Sequence, residues 1–95
     1  MLTQESKLAF IFHKKDLTIS EKMVLLSIAF NASESNKSCC LSIKELSEFC
    51  SCSGRTVQKA LIKLSDLHLI RKEPMFYLDG GRAANQYFIV ERSFI

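Results

Sequence analysis

Three stretches of the chain carry apolar residues at helical spacing, and a fourth has the alternation of β-strands. In the first stretch, Thr18 stands three residues before Glu21, which is the spacing of a capping box. The apolar positions that follow are one stripe and three neighbours that widen it: Ile19, Met23, Leu26 and Phe30, then Leu25, Ile28 and Ala29. This pattern predicts a first helix over residues 18–32 that is buried over much of its girth.

A second and a third helix are predicted close together. Ser42 stands three residues before a glutamate and starts a short helix over residues 42–50. The small residues of the segment 51–54 end that helix, and Ser53 is a good N-cap for a longer helix over residues 53–68. The inward face of the third helix consists of Val57, Ala60, Leu61 and Leu64, with Leu67 or His68. The predicted arrangement is a helix, a short turn and a helix.

The C-terminal part predicts a β-hairpin over residues 70–91. Two runs rich in aromatic and β-branched residues, IRKEPMFYL and QYFIVE, flank DGGRAAN, whose Asp-Gly-Gly suits a hairpin turn. Pro74 cannot donate a ladder hydrogen bond and belongs on an edge or beside a bulge. We expect a short strand near residues 39–41 to pair with this hairpin. Residues 1–17 are polar and then apolar (LAFIF); they are predicted as an N-terminal arm whose apolar run is too short to assign as helix or strand.

Composition limits the architecture and excludes some classes of protein. The chain has 95 residues, 47% of them hydrophobic, which suits one domain over residues 1–95 with a single modest core. The formal net charge of +3 is too small to identify a polyanionic partner, so the positions of the charges must decide. No apolar run approaches the roughly 20 residues of a membrane span, and the N-terminus does not have the pattern of a signal peptide. We expect a cytoplasmic protein with no membrane partner, cofactor or small-molecule ligand.

The cysteines and histidines do not have the spacing of a metal site. Cys39-Cys40 and Cys50-x-Cys52 lack the two-residue separation of a zinc knuckle. In a reducing compartment, Cys40 or Cys39, together with Cys50 and Cys52, should be thiols that fill apolar positions of the core. His68 ends an apolar stripe and is predicted to be a partly buried packing residue. Because the chain has no nucleophile elbow, phosphate-binding glycine loop or His-x-Glu pair, no enzymatic activity is expected.

The outward face of the third predicted helix has side chains suited to nucleic-acid recognition. If the apolar residues face inward, the outward and flanking positions are Arg55, Thr56, Gln58, Lys59, Ile62 and Lys63. Arginine and lysine bond guanine edges or phosphates, and glutamine reads adenine. The Ser53 hydroxyl at the helix start can bond phosphate, beside the amides of the first turn. An ordinary solvated face carries the same residue types, so this pattern alone leaves both interpretations open.

A family resemblance adds to these patterns. The segments SCCLS, IKEL and CSGRTVQKAL are followed by Leu69-Ile70 and, at the close of the hairpin, by Asn85-Gln86-Tyr87. Their order resembles the winged helix-turn-helix domains of bacterial, phage and plasmid DNA-binding proteins, especially the N-terminal domains of mobile-element replication proteins. The likeness spans about residues 17–91, and its parts are individually weak but ordered as the fold requires.

The resemblance implies a fold class and a set of DNA contacts. The fold would be mostly α with a small antiparallel β-sheet, built as a three-helix core plus a β-hairpin wing. The implied contact residues are Arg55, Thr56, Gln58, Lys59 and Lys63 on the DNA side of the third helix, with Ser42 and Lys44 against the DNA backbone. Arg82 at the hairpin tip matches a wing residue that enters the minor groove or binds phosphate, although a merely solvated arginine is equally compatible.

Two positions depart from the family pattern. Ser51 stands in the turn where many relatives have glycine, which implies a slightly different or modestly strained turn. Gly54 stands where many relatives have a basic residue after the cap serine, and this removes one contact.

Three functions are compatible with the sequence. The first is a small transcriptional regulator that reads double-stranded DNA with the third helix and the wing, as a homodimer on paired half-sites. The second is origin binding by the N-terminal domain of a phage or plasmid replication initiator or primosomal protein. The third is protein docking, for which an apolar surface is available that also suits a dimer seam: Phe10, Ile11, Phe12, Phe94 and Ile95. Docking should be indifferent to salt, whereas DNA binding should weaken steeply as salt rises.

Overall fold

The fold is known from a computed structural model that describes residues 4–32, 38–73 and 86–90. Within those ranges the elements, in chain order, are α1 Gln4–His13, α2 Ile19–Asn31, β1 Ser38–Cys39, α3 Ile43–Cys50, α4 Gly54–Asp66, β2 Ile70–Glu73 and β3 Gln86–Ile89. The architecture is a winged helix-turn-helix: helices packed around one core, with a small antiparallel sheet at one side. The predicted fold class is thereby confirmed.

Three hydroxyl residues start the three predicted helices. Thr18 and Ser42 each form a complete capping box with the glutamate three residues later, at distances of 2.9–3.2 Å. Ser53 accepts a hydrogen bond from the Thr56 amide at 3.1 Å and caps α4. Each cap satisfies amides that the first helical turn leaves without partners, and this fixes where α2, α3 and α4 begin.

The last turns of α3 and α4 close in the same way. Ser51 and His68 have positive φ angles of 53° and 60°. In each case the amide of the next residue bonds a carbonyl five positions back, from Cys52 to Ser47 and from Leu69 to Leu64. This is the Schellman motif, in which glycine usually occupies the positive-φ position. His68 is therefore an exposed helix-terminating residue, and its prediction as a partly buried packing residue is wrong.

The core lies between α2, α4 and the sheet. Its largest fully buried side chains are Ile11, Val24, Leu25, Ile28, Leu46, Val57, Leu64 and Tyr87. The face of α2 that enters this core is Val24, Leu25, Ile28 and Ala29. Burial was predicted for Leu25, Ile28 and Ala29 but also for the neighbouring stripe, of which Ile19, Met23 and Phe30 are exposed and Leu26 is half-buried. Both faces of α2 are apolar, so periodicity could not distinguish the inward face from the outward one.

The sheet has three strands in the order β1-β3-β2. Both pairs are antiparallel, with Tyr87 opposite Lys72 on one side and Cys39 on the other. The expected pairing of a short strand near residues 39–41 with the hairpin is confirmed, although that strand is Ser38–Cys39. Pro74 and the predicted turn, residues 79–85, lie outside the described residues.

The segment predicted as an unassigned N-terminal arm contains α1. Ile11 of this helix is fully buried, and the Lys22 side chain donates a hydrogen bond of 3.0 Å to the Phe12 carbonyl, which ties α1 to α2. The apolar run LAFIF is too short to show a clear period, and among the helices α1 packs chiefly against α2. No helix in the described ranges is both long and apolar enough to cross a bilayer.

The cysteines divide between the core and the surface. Cys50 and Cys52 are half-buried and pack against the core, as predicted. Of the Cys39-Cys40 pair, Cys40 is exposed and does not fill a core position. The side chain of Cys39 lies outside the described residues. The Cys50 thiol and the Ser27 hydroxyl lie 3.4 Å apart and link α3 to α2.

Candidate nucleic-acid interface

The helix α4 has one buried face and one exposed face. Val57, Ala60, Leu61 and Leu64 are buried in the core. Arg55, Lys59 and Lys63 are exposed and follow one another at four-residue spacing, so they form one row along the helix. The predicted orientation of this helix is therefore observed.

A second exposed row on α4 faces the sheet. Gln58 and Ile62 line a cleft between the helix and the sheet, together with Lys72 and Tyr87. Ile62 is exposed although it is apolar, and Lys72 is exposed on β2. The cleft brings a hydrogen-bonding side chain, an apolar side chain and a cation to one surface, together with the acid Asp66.

The exposed face of α4 changes charge along its length. The cationic row ends at Lys63, and Asp66 is exposed in the last turn. An acidic side chain opposes a phosphate, so the face suits a polyanion mainly over its first three turns. In helix-turn-helix proteins the N-terminal part of the recognition helix, the second of the two helices in the motif, contacts base edges.

Lys63 lies on the flank of α4 that faces the loop between α1 and α2. The pKa of Asp16 in that loop is lowered, mainly by its hydrogen bond with Lys14 and to a smaller extent by the positive charge of Lys63. The Lys14 ammonium lies 3.1 Å from the Asp16 carboxylate. Arg55 and Lys59, in contrast, form no ion pair with any residue in the described part of the chain. Their charges are available to a partner.

The start of α4 presents hydroxyl groups. Besides capping the helix, Ser53 has its hydroxyl oxygen 3.0 Å from that of Thr56. One hydroxyl proton is used within this pair, and the other is free for donation to a phosphate oxygen. The amides of Gly54 and Arg55 belong to the first turn, where intrahelical acceptors are not available. These groups are the usual donors at an anion-binding helix N-terminus.

The start of α3 lies beside the start of α4. Ser42 uses its hydroxyl oxygen to accept the Glu45 amide at 3.0 Å, which leaves its proton available as a donor. Lys44 is exposed one residue into the helix. At Gly54 an added Cβ would lie 3.2 Å from the Cγ2 atom of Ile43, so the two helix starts are in close contact. Ser42 and Ser53 are thus held on neighbouring helix ends.

The candidate residues fall into three groups. The cap and the N-terminal part of α4 hold Ser53, Arg55, Thr56, Gln58 and Lys59. Lys63 is on the flank of that helix, and the start of α3 holds Ser42 and Lys44. Arg82 lies outside the described residues. Sequence reasoning missed Lys72, which reaches this surface from β2. The alternation of the segment IRKE could have indicated that Lys72 reaches this surface only if the register of the wing against α4 had been known.

The comparisons with known proteins agree with this geometry. A family model for a helix-turn-helix domain matches residues 15–70, which include α2, α3 and α4. The solved structure of a possible transcriptional regulator from Methanosarcina mazei Go1 aligns with 96% of this chain and 72% of its own, with a TM-score of 0.60 and 17% sequence identity. At that identity the likeness supports the fold alone. Among curated proteins there is no match.

Proposed function

The chain belongs to the helix-turn-helix domain family, and we propose that it is a transcriptional regulator that reads double-stranded DNA in a sequence-specific manner. The observation that carries this proposal is the exposed N-terminal part of α4. There Arg55 and Lys59 have no ion pair with any described residue, and they stand beside Gln58. A merely solvated face commonly pairs its cations with neighbouring acids at four-residue spacing, and the face of α4 does so nowhere between residues 54 and 63.

In the proposed complex, α4 enters the major groove from its N-terminal end. Arg55 would bond the O6 and N7 atoms of a guanine, and Gln58 would bond the N6 and N7 atoms of an adenine. Ile62, exposed in the neighbouring row, is suited to contact a thymine methyl group. Lys59 and Lys63 would neutralise the flanking phosphates.

Phosphate contacts at the two helix starts would set the register of α4 on the duplex. Ser53 or Thr56 offers a hydroxyl proton at the start of α4, and Ser42 and Lys44 offer donors at the start of α3. Because both helix ends are capped and in mutual contact, the backbone that carries these side chains would need no further ordering to bind a phosphate.

The wing would contact DNA beside the major-groove site. Lys72 of β2 adjoins the cleft beside Gln58 and Ile62, and it would bind the backbone at the edge of the groove. Arg82 is proposed as the contact of the hairpin tip with the adjacent minor groove. We propose regulation of transcription rather than replication; one solved structure that shares the fold is that of a possible transcriptional regulator.

Selection from a pool of random-sequence duplexes tests this proposal. We expect one short motif to be enriched and to bind at least about 1000-fold more tightly than unrelated duplex DNA at the same salt concentration. An Arg55→Ala variant should lose its preference at one position of that motif while it keeps the others. A pool that remains random after repeated rounds would contradict sequence-specific reading.

A further inference from the structure

The helix α2 has a second apolar stripe on the side opposite its buried face. Ile19, Met23, Leu26 and Phe30 follow one another at spacings of four, three and four residues. This is the alternation by which one helix packs against another along a seam. The exposed fractions of Ile19, Met23 and Phe30 are 83%, 37% and 71%. A helix that is apolar on both faces is ordinarily buried on both.

Two further phenylalanines extend this stripe into a groove. The Lys22 bond to the Phe12 carbonyl holds α1 on one flank of α2, and the contact between Ser27 and Cys50 holds α3 on the other. The groove is lined by Leu8 and Phe12 of α1, Leu26, Ser27, Phe30 and Asn31 of α2, and Phe49 of α3. Among the described residues that line the groove, none has a charged side chain. The groove therefore does not suit a nucleic acid or a strongly charged peptide.

The exposed apolar area is large for a surface without a partner. Phe12, Phe30 and Phe49 are 63%, 71% and 57% exposed, which leaves roughly 400 Å² of aromatic surface in water at about 200 Å² per ring. Ile19 and Met23 raise the total to roughly 600 Å², the upper end for the largest apolar patch on a monomer. A standard interface buries about 800 Å² per partner, so this patch with a polar rim supplies what a dimer needs.

We propose that the groove is covered by the same groove of a second copy of this chain, with the two α2 stripes packed against each other. A two-fold interface requires a surface that is complementary to itself, and an uncharged apolar stripe meets that condition where a charged one would not. The groove contains no residue of α4, so both copies would keep their cationic rows exposed. The use of such a dimer to read paired half-sites rests on the proposed function, whereas the contact between the copies does not.

Sedimentation of the full chain without DNA, over a concentration series, tests this inference. We expect a reversible equilibrium between one and two chain masses. Phe30→Glu should raise the dimer dissociation constant by roughly 100-fold, because a two-fold interface carries the substitution twice. Phe49→Glu, on a different helix, should weaken the dimer in the same direction. Ile62→Glu is the matched control, since Ile62 is similarly exposed but lies on α4, and it should leave the dimer intact.

The outcomes separate this inference from the proposed function. A wild-type chain that remains monomeric at every concentration would overturn the dimer, even if that monomer bound duplex DNA. A dimer that is equally insensitive to Phe30→Glu and Phe49→Glu would also overturn it, because the contact would then lie elsewhere. A dimer lost in both groove variants, whose thermal unfolding remains cooperative, would support it even if the protein failed to bind DNA. In that last case the proposed function alone would fail.

Discussion

The first turns of α3 and α4 meet at Ile43 and Gly54, where an added Cβ on the glycine would lie 3.2 Å from the Cγ2 atom of the isoleucine. That separation is tighter than an ordinary van der Waals contact. It gives a packing reason for a glycine at the position after the cap serine, where the family resemblance implies a basic residue. A side chain at position 54 would require Ile43 to shift by a few tenths of an ångström.

We expect the two positions to be energetically coupled. Gly54→Ala should change the free energy of unfolding about 0.5–1 kcal/mol more towards stability in an Ile43→Ala background than in the wild type. The reason is that alanine at position 43 has no Cγ2 atom for the added Cβ to meet. Urea unfolding of the four proteins of this double-mutant cycle measures the coupling. Equal effects of Gly54→Ala in both backgrounds would show that the contact does not constrain the glycine.

Ser51 stores strain at the end of α3. Its φ angle of 53° suits glycine, so Ser51→Gly should raise the free energy of unfolding by about 0.5–1 kcal/mol. Lys59→Gly is the control, because it places glycine in an exposed helix interior and should cost about 1 kcal/mol. Thermal or urea unfolding separates the two directions. A loss of stability in Ser51→Gly would mean that the serine side chain stabilises the fold by more than its backbone strain costs.

Arg55 should matter for DNA affinity and not for stability. The side chain is exposed and has no ion pair with a described residue, so Arg55→Ala should leave the melting temperature nearly unchanged. Its affinity for a selected target should fall by about 1–3 kcal/mol, as for a lost bidentate base contact. Fluorescence anisotropy and thermal melting measure the two effects. A large fall in melting temperature would assign Arg55 a structural role instead.

Cys50 should be the slower of two thiols to react. Burial raises its pKa above the ordinary value of 9.0, and the hydrogen bond with Ser27 partly opposes that shift. Because the thiolate is the reactive form, alkylation near neutral pH should modify exposed Cys40 before Cys50. Mass spectrometry of peptides at successive times gives the order. Faster labelling at Cys50 would contradict its placement against the core.

The same raised pKa predicts how stability depends on pH. The folded state holds the Cys50 proton more tightly than the unfolded state, so the stabilisation is fully present below the unfolded pKa. It should decline as pH rises above about 9, through the folded pKa. A Cys50→Ser variant should be about 1 kcal/mol less stable at neutral pH and should lack this part of the alkaline decline. A decline of equal size in both proteins would assign it to other groups.

The sequence was informative wherever a local chemical rule decided the structure. Thr18, Ser42 and Ser53 indicated where α2, α3 and α4 begin, because a hydroxyl cap acts within one turn. The inward face of α4 was also predictable, since only one side of that helix is strongly apolar. The direction of Arg55 and Lys59 followed from that face.

The sequence was uninformative about features that depend on tertiary packing, where the local pattern fits more than one arrangement equally well. Both sides of α2 are apolar, so the pattern predicted burial over much of the helix; Leu25 and Ile28 are buried as predicted, whereas Phe30 is exposed. The helix α1 was missed because its few apolar residues show no clear period. Lys72 could not be assigned to the candidate interface, because its position depends on the register of the wing.

We propose that the exposed row of α4 binds the phosphates of duplex DNA, and the salt dependence of binding tests this claim most directly. Binding to random-sequence duplex should be measured over a salt series for the wild type, for Lys59→Glu, and for Lys15→Glu, which makes the same charge change at an exposed position of the loop between α1 and α2. We expect a steep fall of the binding constant with salt, a slope reduced by about 1 or more in Lys59→Glu, and a slope close to wild type in Lys15→Glu. Equal effects of the two reversals, or binding that does not respond to salt, would contradict the claim.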